Sequence, residues 1–170
     1  MSEQNNINPI DPNASEMGEG VGGVGGVGGG GTTMSDADGI LEVEQARAFA
    51  QGIGSSLIGD KCDHVVILDV NKSSPVTGFI VIASGTSARQ MRSALENLDD
   101  VAEQFGTSVY QISNDNDALW LLADFIDVVV HVFEPNARAH YDLESMWPGA
   151  PRVEVPPFVP PARPGSEGSA

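Results

Sequence analysis

Between positions 43 and 57 the apolar residues Val43, Ala46, Ala50, Ile53 and Leu57 recur at three- and four-residue steps. That spacing predicts one buried helix face, with Asp36 or Asp38 near its start and Gly52 and Gly54 weakening its end. The period then changes. Residues 64–70 and 79–83 are short, continuous apolar runs, the pattern of strands covered on both faces. A second helix opens at residues 86–90, where Ser87 and Gln90 stand at capping-box spacing, and carries the stripe Met91, Ala94, Leu95, Leu98, Val101, Ala102 and Phe105 up to Gly106. Residues 107–112 read as a strand, 114–117 as a turn, and 118–125 and 128–133 as a strand pair forming a hairpin. A last helix over 136–147 ends at Pro148. The order α-β-β-α-β-β-β-α predicts one small α/β domain over residues 40–150, a mixed sheet flanked by helices.

The two ends read differently. Residues 1–39 hold the run from Val21 to Gly31 in which glycines separate lone valines, so a disordered tail is expected. Residues 151–170 are proline-rich; around Val155-Pro-Pro-Phe-Val-Pro-Pro the chain favours polyproline II, a semi-rigid and flexible tail in solvent or against the domain.

Charge narrows the partners. The 24 acids outnumber 8 bases, for a net charge of −16, and residues 41–150 alone carry sixteen acids and six bases. A broad footprint for phosphate backbones is absent, so direct sequence-specific nucleic-acid binding is not expected; a basic protein surface suits this domain better. One cysteine, Cys62, forms no intrachain disulfide and no multi-cysteine metal site. No basic start leads into an apolar run, and nowhere do about 18 apolar residues follow one another, so membrane spanning and secretion are not expected and a cytoplasmic location is.

Catalytic patterns fail one by one. His64, His131 and His140 show no metal-ligand spacing, and His131, inside an apolar strand, reads better as a hydrogen-bonded structural residue than as a base. Ser87, His131 and Asp124 can be written as a triad, but no Gly-x-Ser-x-Gly elbow supports it. Asp60 and Asp63 would raise the Cys62 thiol pKa rather than activate it. The turn Ser84-Gly85-Thr86-Ser87 between strand and helix is a possible anion cradle, yet no pair of strand acids follows to hold a divalent metal. No metal and no cofactor are expected.

The remaining text is the most informative. The block Trp120-Leu-Leu-Ala-Asp124-Phe-Ile-Asp127-Val-Val-Val-His131-Val-Phe133 is followed by Arg138-Ala-His-Tyr141-Asp-Leu-Glu144-Ser-Met-Trp147. With Leu57-Ile-Gly-Asp-Lys61, Val66-Ile-Leu-Asp69-Val70 and Ile82-Ala-Ser-Gly-Thr-Ser87-Ala-Arg89-Gln90, it closely resembles the ribosomal silencing factor family, also called Iojap. The resemblance covers residues 41–150. It implies a nucleotidyltransferase-like topology without the catalytic carboxylates, in keeping with the missing acid pair, and a binding protein rather than an enzyme. It also implies a partner, the large ribosomal subunit met through its fourteenth protein, with translation repressed because the small subunit can no longer join. Dimers occur in that family, so a second copy of the chain is a candidate partner.

On this reading Trp120, Leu121, Asp124, Phe125 and Asp127 are the leading contacts, an aromatic beside acids making a good anchor. Core packing is the competing assignment, with Leu122 and Phe125 alternating inward. Ser87 and Arg89 are expected to shape the helix near this surface, while Arg138, Tyr141 and Glu144 tie the last helix to the sheet. Three stretches depart from the family pattern: Thr77-Gly78-Phe79-Ile80-Val81 lacks the acid and hydroxyl usual before the serine-glycine turn, Ser113 and Asn114 stand near a missing Glu-Gly, and Ile126 replaces a glycine. A nucleotidyltransferase-like nucleotide binder or enzyme is the alternative from another class.

Overall fold

The computed structural model of the chain describes residues 41–113 and 119–161. The glycine-rich run, Asp36, Asp38 and the turn predicted at 114–117 lie outside the described residues.

The first helix, α1 (Val43–Gly59), buries Ala46, Phe49, Ala50, Ile53, Gly54 and Leu57. Val43, expected on that face, is half exposed, and Phe49 is the residue that takes its share of the core. Gly54 does not end the helix. A Cβ there would stand 2.9 Å from Val155 and 3.1 Å from Ile67, so its bare backbone lets the sheet and the C-terminal segment approach.

Strands β1 (Asp63–Asp69) and β2 (Phe79–Ser84) follow as predicted, and β2 is buried at every position. The long second helix is observed as two, α2 (Ala88–Glu96) and α3 (Leu98–Gln104), meeting at Asn97, whose side-chain amide donates to Asp60 at 2.8 Å. The stripe of apolar residues runs across both, which is why the sequence reads as one helix.

Strand β3 (Gln111–Ile112) is shorter than predicted, and β4 (Trp120–Asp124) and β5 (Val128–Phe133) form the expected hairpin. Helix α4 (Pro135–Tyr141) begins with proline in its first turn, and the Glu134 carboxylate accepts from the backbone N–H groups of Asn136 and Ala137. It stops earlier than predicted because Asp142 turns left-handed, at φ 42°, into a 3-10 turn, Leu143–Met146.

The sheet runs β3-β4-β5-β2-β1-β6, where β6 (Arg152–Val153) is a strand the sequence pattern did not announce. Only β2 and β5 are parallel; every other neighbouring pair is antiparallel. Helices α1, α2 and α3 pack on one face over Ile67, Phe79, Val81, Ala83, Leu121, Ala123, Val130 and Val132. The opposite face is covered by α4 and the 3-10 turn over Leu68, Ile80, Ile82 and Phe133. No helix among the described residues is long and apolar enough to cross a membrane.

Residues 152–161 are not a tail in solvent. Val153 pairs with Ile67 in β1 and is buried. Beyond it the carbonyls of Glu154 and Pro157 accept from the Gln51 and Ser55 side chains at 3.0 and 3.3 Å, so the segment lies along α1. Phe158 sits over Gly59, where an added Cβ would come within 2.6 Å of its ring. Val153→Asp is expected to cost about 2 kcal/mol or more in chemical unfolding and to open residues 152–161 to protease, because a charge would enter the covered sheet edge. Unchanged stability and cleavage would mean that the segment is not docked.

Candidate functional site

Strand β4 alternates strictly. Leu121 and Ala123 point into the helical layer and are buried, whereas Trp120, Leu122 and Asp124 point the other way and are half-buried. On β5 the same outward face carries Val129, His131 and Phe133, set by the pairs Trp120↔Phe133, Leu122↔His131 and Asp124↔Val129. Helix α4 and its 3-10 turn reach Phe133 and the β2 side of this face but leave Leu122, Asp124 and Val129 only partly covered. These three side chains are therefore partly accessible on this face.

Trp120 stands at the border. Its ring stacks on Phe133 with centroids 4.9 Å apart at 24°, and meets Tyr141 at 5.1 Å. Its Nε1–H donates to His131 Nδ1 at 3.1 Å. Burial pushes the His131 imidazole down to about 4, with the Asp124 carboxylate acting in the opposite direction. His131 is therefore neutral at pH 7, as a structural acceptor for the indole requires.

The acids have separate tasks. Asp124 Oδ1 accepts from the backbone N–H of Ile126 at 2.7 Å, holding the turn between β4 and β5. Asp127 Oδ2 accepts from the N–H of Leu41, and its carbonyl accepts from Gly78 and Phe79, so this residue anchors the chain entering α1 and the start of β2. The turn itself is tight: Asp127 N–H donates to the Phe125 carbonyl at 2.9 Å around Ile126, whose φ is 71°. A β-branched residue in that region is strained, and Ile126 is 40% exposed, so no burial demands it.

The structure divides the residues singled out from the sequence. Trp120 and Asp124 share the open face. Leu121 and Phe125 do not: each is 1% exposed and lies in the helical-side core, because residues an odd number of positions from Trp120 point the other way along the strand. Leu122 is outward and Phe125 inward, so of the two residues expected to turn inward only Phe125 does. Ser87 and Arg89 belong to the helical layer beside Asp60 and Ser93, away from the Trp120 face. Leu122, Val129 and Ile126 were missed as surface; the period-2 alternation from Trp120 was the signal that could have found the first.

Three backbone N–H groups around the serine-glycine turn are used internally. Gly85 N–H donates to the Phe133 carbonyl, Thr86 N–H to Gln90 Oε1 at 2.8 Å, and Gln90 N–H to Ser87 Oγ at 3.2 Å. It caps α2. Arg138 donates to Ser84 Oγ, to the His64 carbonyl and twice to Glu144, which ties α4 and the 3-10 turn to the sheet as expected. Burial, then the Asp60 carboxylate, push the Cys62 thiol up to about 11 against a hydrogen bond from Gln90. Among the described residues no three His, Cys, Asp or Glu side chains gather in a group that could hold a metal.

Comparison with known proteins adds a family. Residues 43–169 match the family model described as "Ribosomal silencing factor during starvation". A relative from Halalkalibacterium halodurans named "Ribosomal silencing factor RsfS" is 37% identical over 95 residues, covering 56% of this chain and 81% of that protein. A crystal structure of a Bacillus halodurans protein superposes with a TM-score of 0.55 at 32% identity, covering 64% of this chain and 99% of the other. More distantly, the mouse "Mitochondrial assembly of ribosomal large subunit protein 1" is 27% identical over 96 residues, 55% of this chain and 42% of that one.

Two outcomes follow from the site's geometry. Because the folded chain holds His131 at about 4 against about 6.5 unfolded, the unfolded chain binds the extra proton between those values. Stability is then complete above pH 6.5 and falls by on the order of 3 kcal/mol as pH drops toward 4. In urea unfolding at successive pH values the parent should lose more stability over that window than His131→Asn; equal losses would refute a buried neutral imidazole. Ile126→Gly relieves about 1–3 kcal/mol of backbone strain at the expense of about 0.5–1 kcal/mol of unfolded-chain entropy, so the melting temperature should hold or rise. A clear fall would show that the side chain matters more than the strain.

Proposed function

As the chain belongs to the ribosomal silencing factor family, we propose that it binds the large ribosomal subunit and represses translation by keeping the small subunit from joining. The observation that carries this is the partly covered sheet face bearing Trp120, Leu122 and Asp124, an aromatic and aliphatic patch edged by an acid. Such a patch suits a protein partner: a large half-buried aromatic supplies an anchor, and a carboxylate at its rim favours a basic surface. The net charge of −16 acts in the same direction, discouraging rRNA phosphates and favouring a basic ribosomal protein, which we take to be the fourteenth of the large subunit. The mouse relative's name refers to assembly of the ribosomal large subunit, which supports the same reading.

The mechanism needs no bond chemistry. A factor seated where the small subunit must dock lowers the population of joined ribosomes by mass action, in proportion to its concentration over its dissociation constant. The acting unit is the α/β domain with its docked C-terminal strand and segment to Pro161, with Ser87 and Arg89 outside the contact and Leu121 and Phe125 supporting it from behind.

Sucrose-gradient sedimentation with separated subunits tests the reading: the protein should travel with large subunits and reduce joining when small subunits are added. Trp120→Ala combined with Asp124→Asn, which removes the charge while leaving an oxygen for the Ile126 turn, should weaken binding about thirtyfold in a chain that stays folded. A folded double variant that binds as before would refute the surface, and a parent that never travels with large subunits would refute the function.

A further inference from the structure

Resting on the partner surface just described, we propose that His131 is the positioning residue for Trp120, its Nδ1 fixing how the indole is presented to the partner. Trp120 is only half-buried, so packing alone leaves its ring room to rotate or slide. The contacts with Phe133 and Tyr141 are ring contacts, at 4.9 and 5.1 Å, and do little to resist rotation within the ring plane. The hydrogen bond from Nε1–H to His131 Nδ1, at 3.1 Å, is directional and does resist it.

His131 is suited to that task. It is 7% exposed on a central strand, paired with Leu122 across the hairpin, so the backbone fixes its position. Accepting at Nδ1 sets the tautomer, with the proton on Nε2. The bond also satisfies the indole N–H within the domain, so the partner meets the ring's apolar outer part beside Leu122 rather than an unspent donor. The aromatic anchor is thereby ordered before binding, which lowers the entropy cost of association.

Asparagine and glutamine separate the two imidazole nitrogens, since the asparagine side-chain oxygen falls where Nδ1 stands and that of glutamine where Nε2 stands. In a Trp147→Phe background Trp120 is the sole tryptophan, so its indole N–H gives a single resonance. His131→Asn should keep that resonance near its parental position and retain affinity for large subunits within about threefold. His131→Gln should shift the resonance and weaken binding about tenfold. In the parent, exchange of the Trp120 indole proton with solvent should be slowed, a measurement that needs no variant to fold. A folded glutamine variant with parental resonance and affinity, or a parental indole proton exchanging as fast as that of free tryptophan, would overturn the proposal. If the parent itself does not bind large subunits, the partner surface falls, while the resonance and exchange results still decide whether His131 holds the ring.

Discussion

The register of β4 on β5 is the constraint on which the rest depends. Once Leu121 and Ala123 are committed to the layer under α1, α2 and α3, their neighbours Trp120, Leu122 and Asp124 must emerge on the opposite face. A slip of one residue would bury the indole and the acid and expose two core aliphatics. The bond from Asp124 to the Ile126 N–H and the tight turn around Ile126 pin that register at the hairpin's closed end. Trp120 against Phe133 pins the other end.

The second constraint is unequal cover. The β2 strand is buried on both sides because α4 and the 3-10 turn close over Ile80 and Ile82, held by the Arg138–Glu144 pair and by Arg138 bonds to Ser84 and His64. That pair is mostly buried and makes two hydrogen bonds, so it carries more than a surface ion pair would. On the β4 and β5 side of the same face Leu122, Asp124 and Val129 are only partly covered. A partly covered face is what remains when a short helix covers part of a sheet. Its apolar content is tolerable in the isolated chain because Trp120 is half-covered by its own neighbours.

On the far edge, β6 and the segment to Pro161 close the sheet. The prolines in that segment suggested a semi-rigid polyproline II tail; the segment is carried on α1 by carbonyls that accept from Gln51 and Ser55. Gly54 and Gly59 matter through absence of bulk: each lies where Val155 or Phe158 comes too close for a Cβ.

The sequence by itself determined the class of fold, the strands at 79–83 and 128–133, the buried stripe of α2 and α3, and the family, because periodicity, continuous apolar runs and ordered motif blocks are local properties of the chain. It also located the Trp120 to Asp127 block. It could not assign faces within that block, since in a run as apolar as Trp120-Leu-Leu-Ala-Asp-Phe-Ile every other residue looks equally fit for a core. The tertiary structure decided that Leu121 and Phe125 go in and Leu122 stays out, that Ser87 and Arg89 belong to another layer, and that residues 152–161 add a strand. Each of these depends on which helices arrive over which side of the sheet, a long-range packing outcome that no short window of sequence contains.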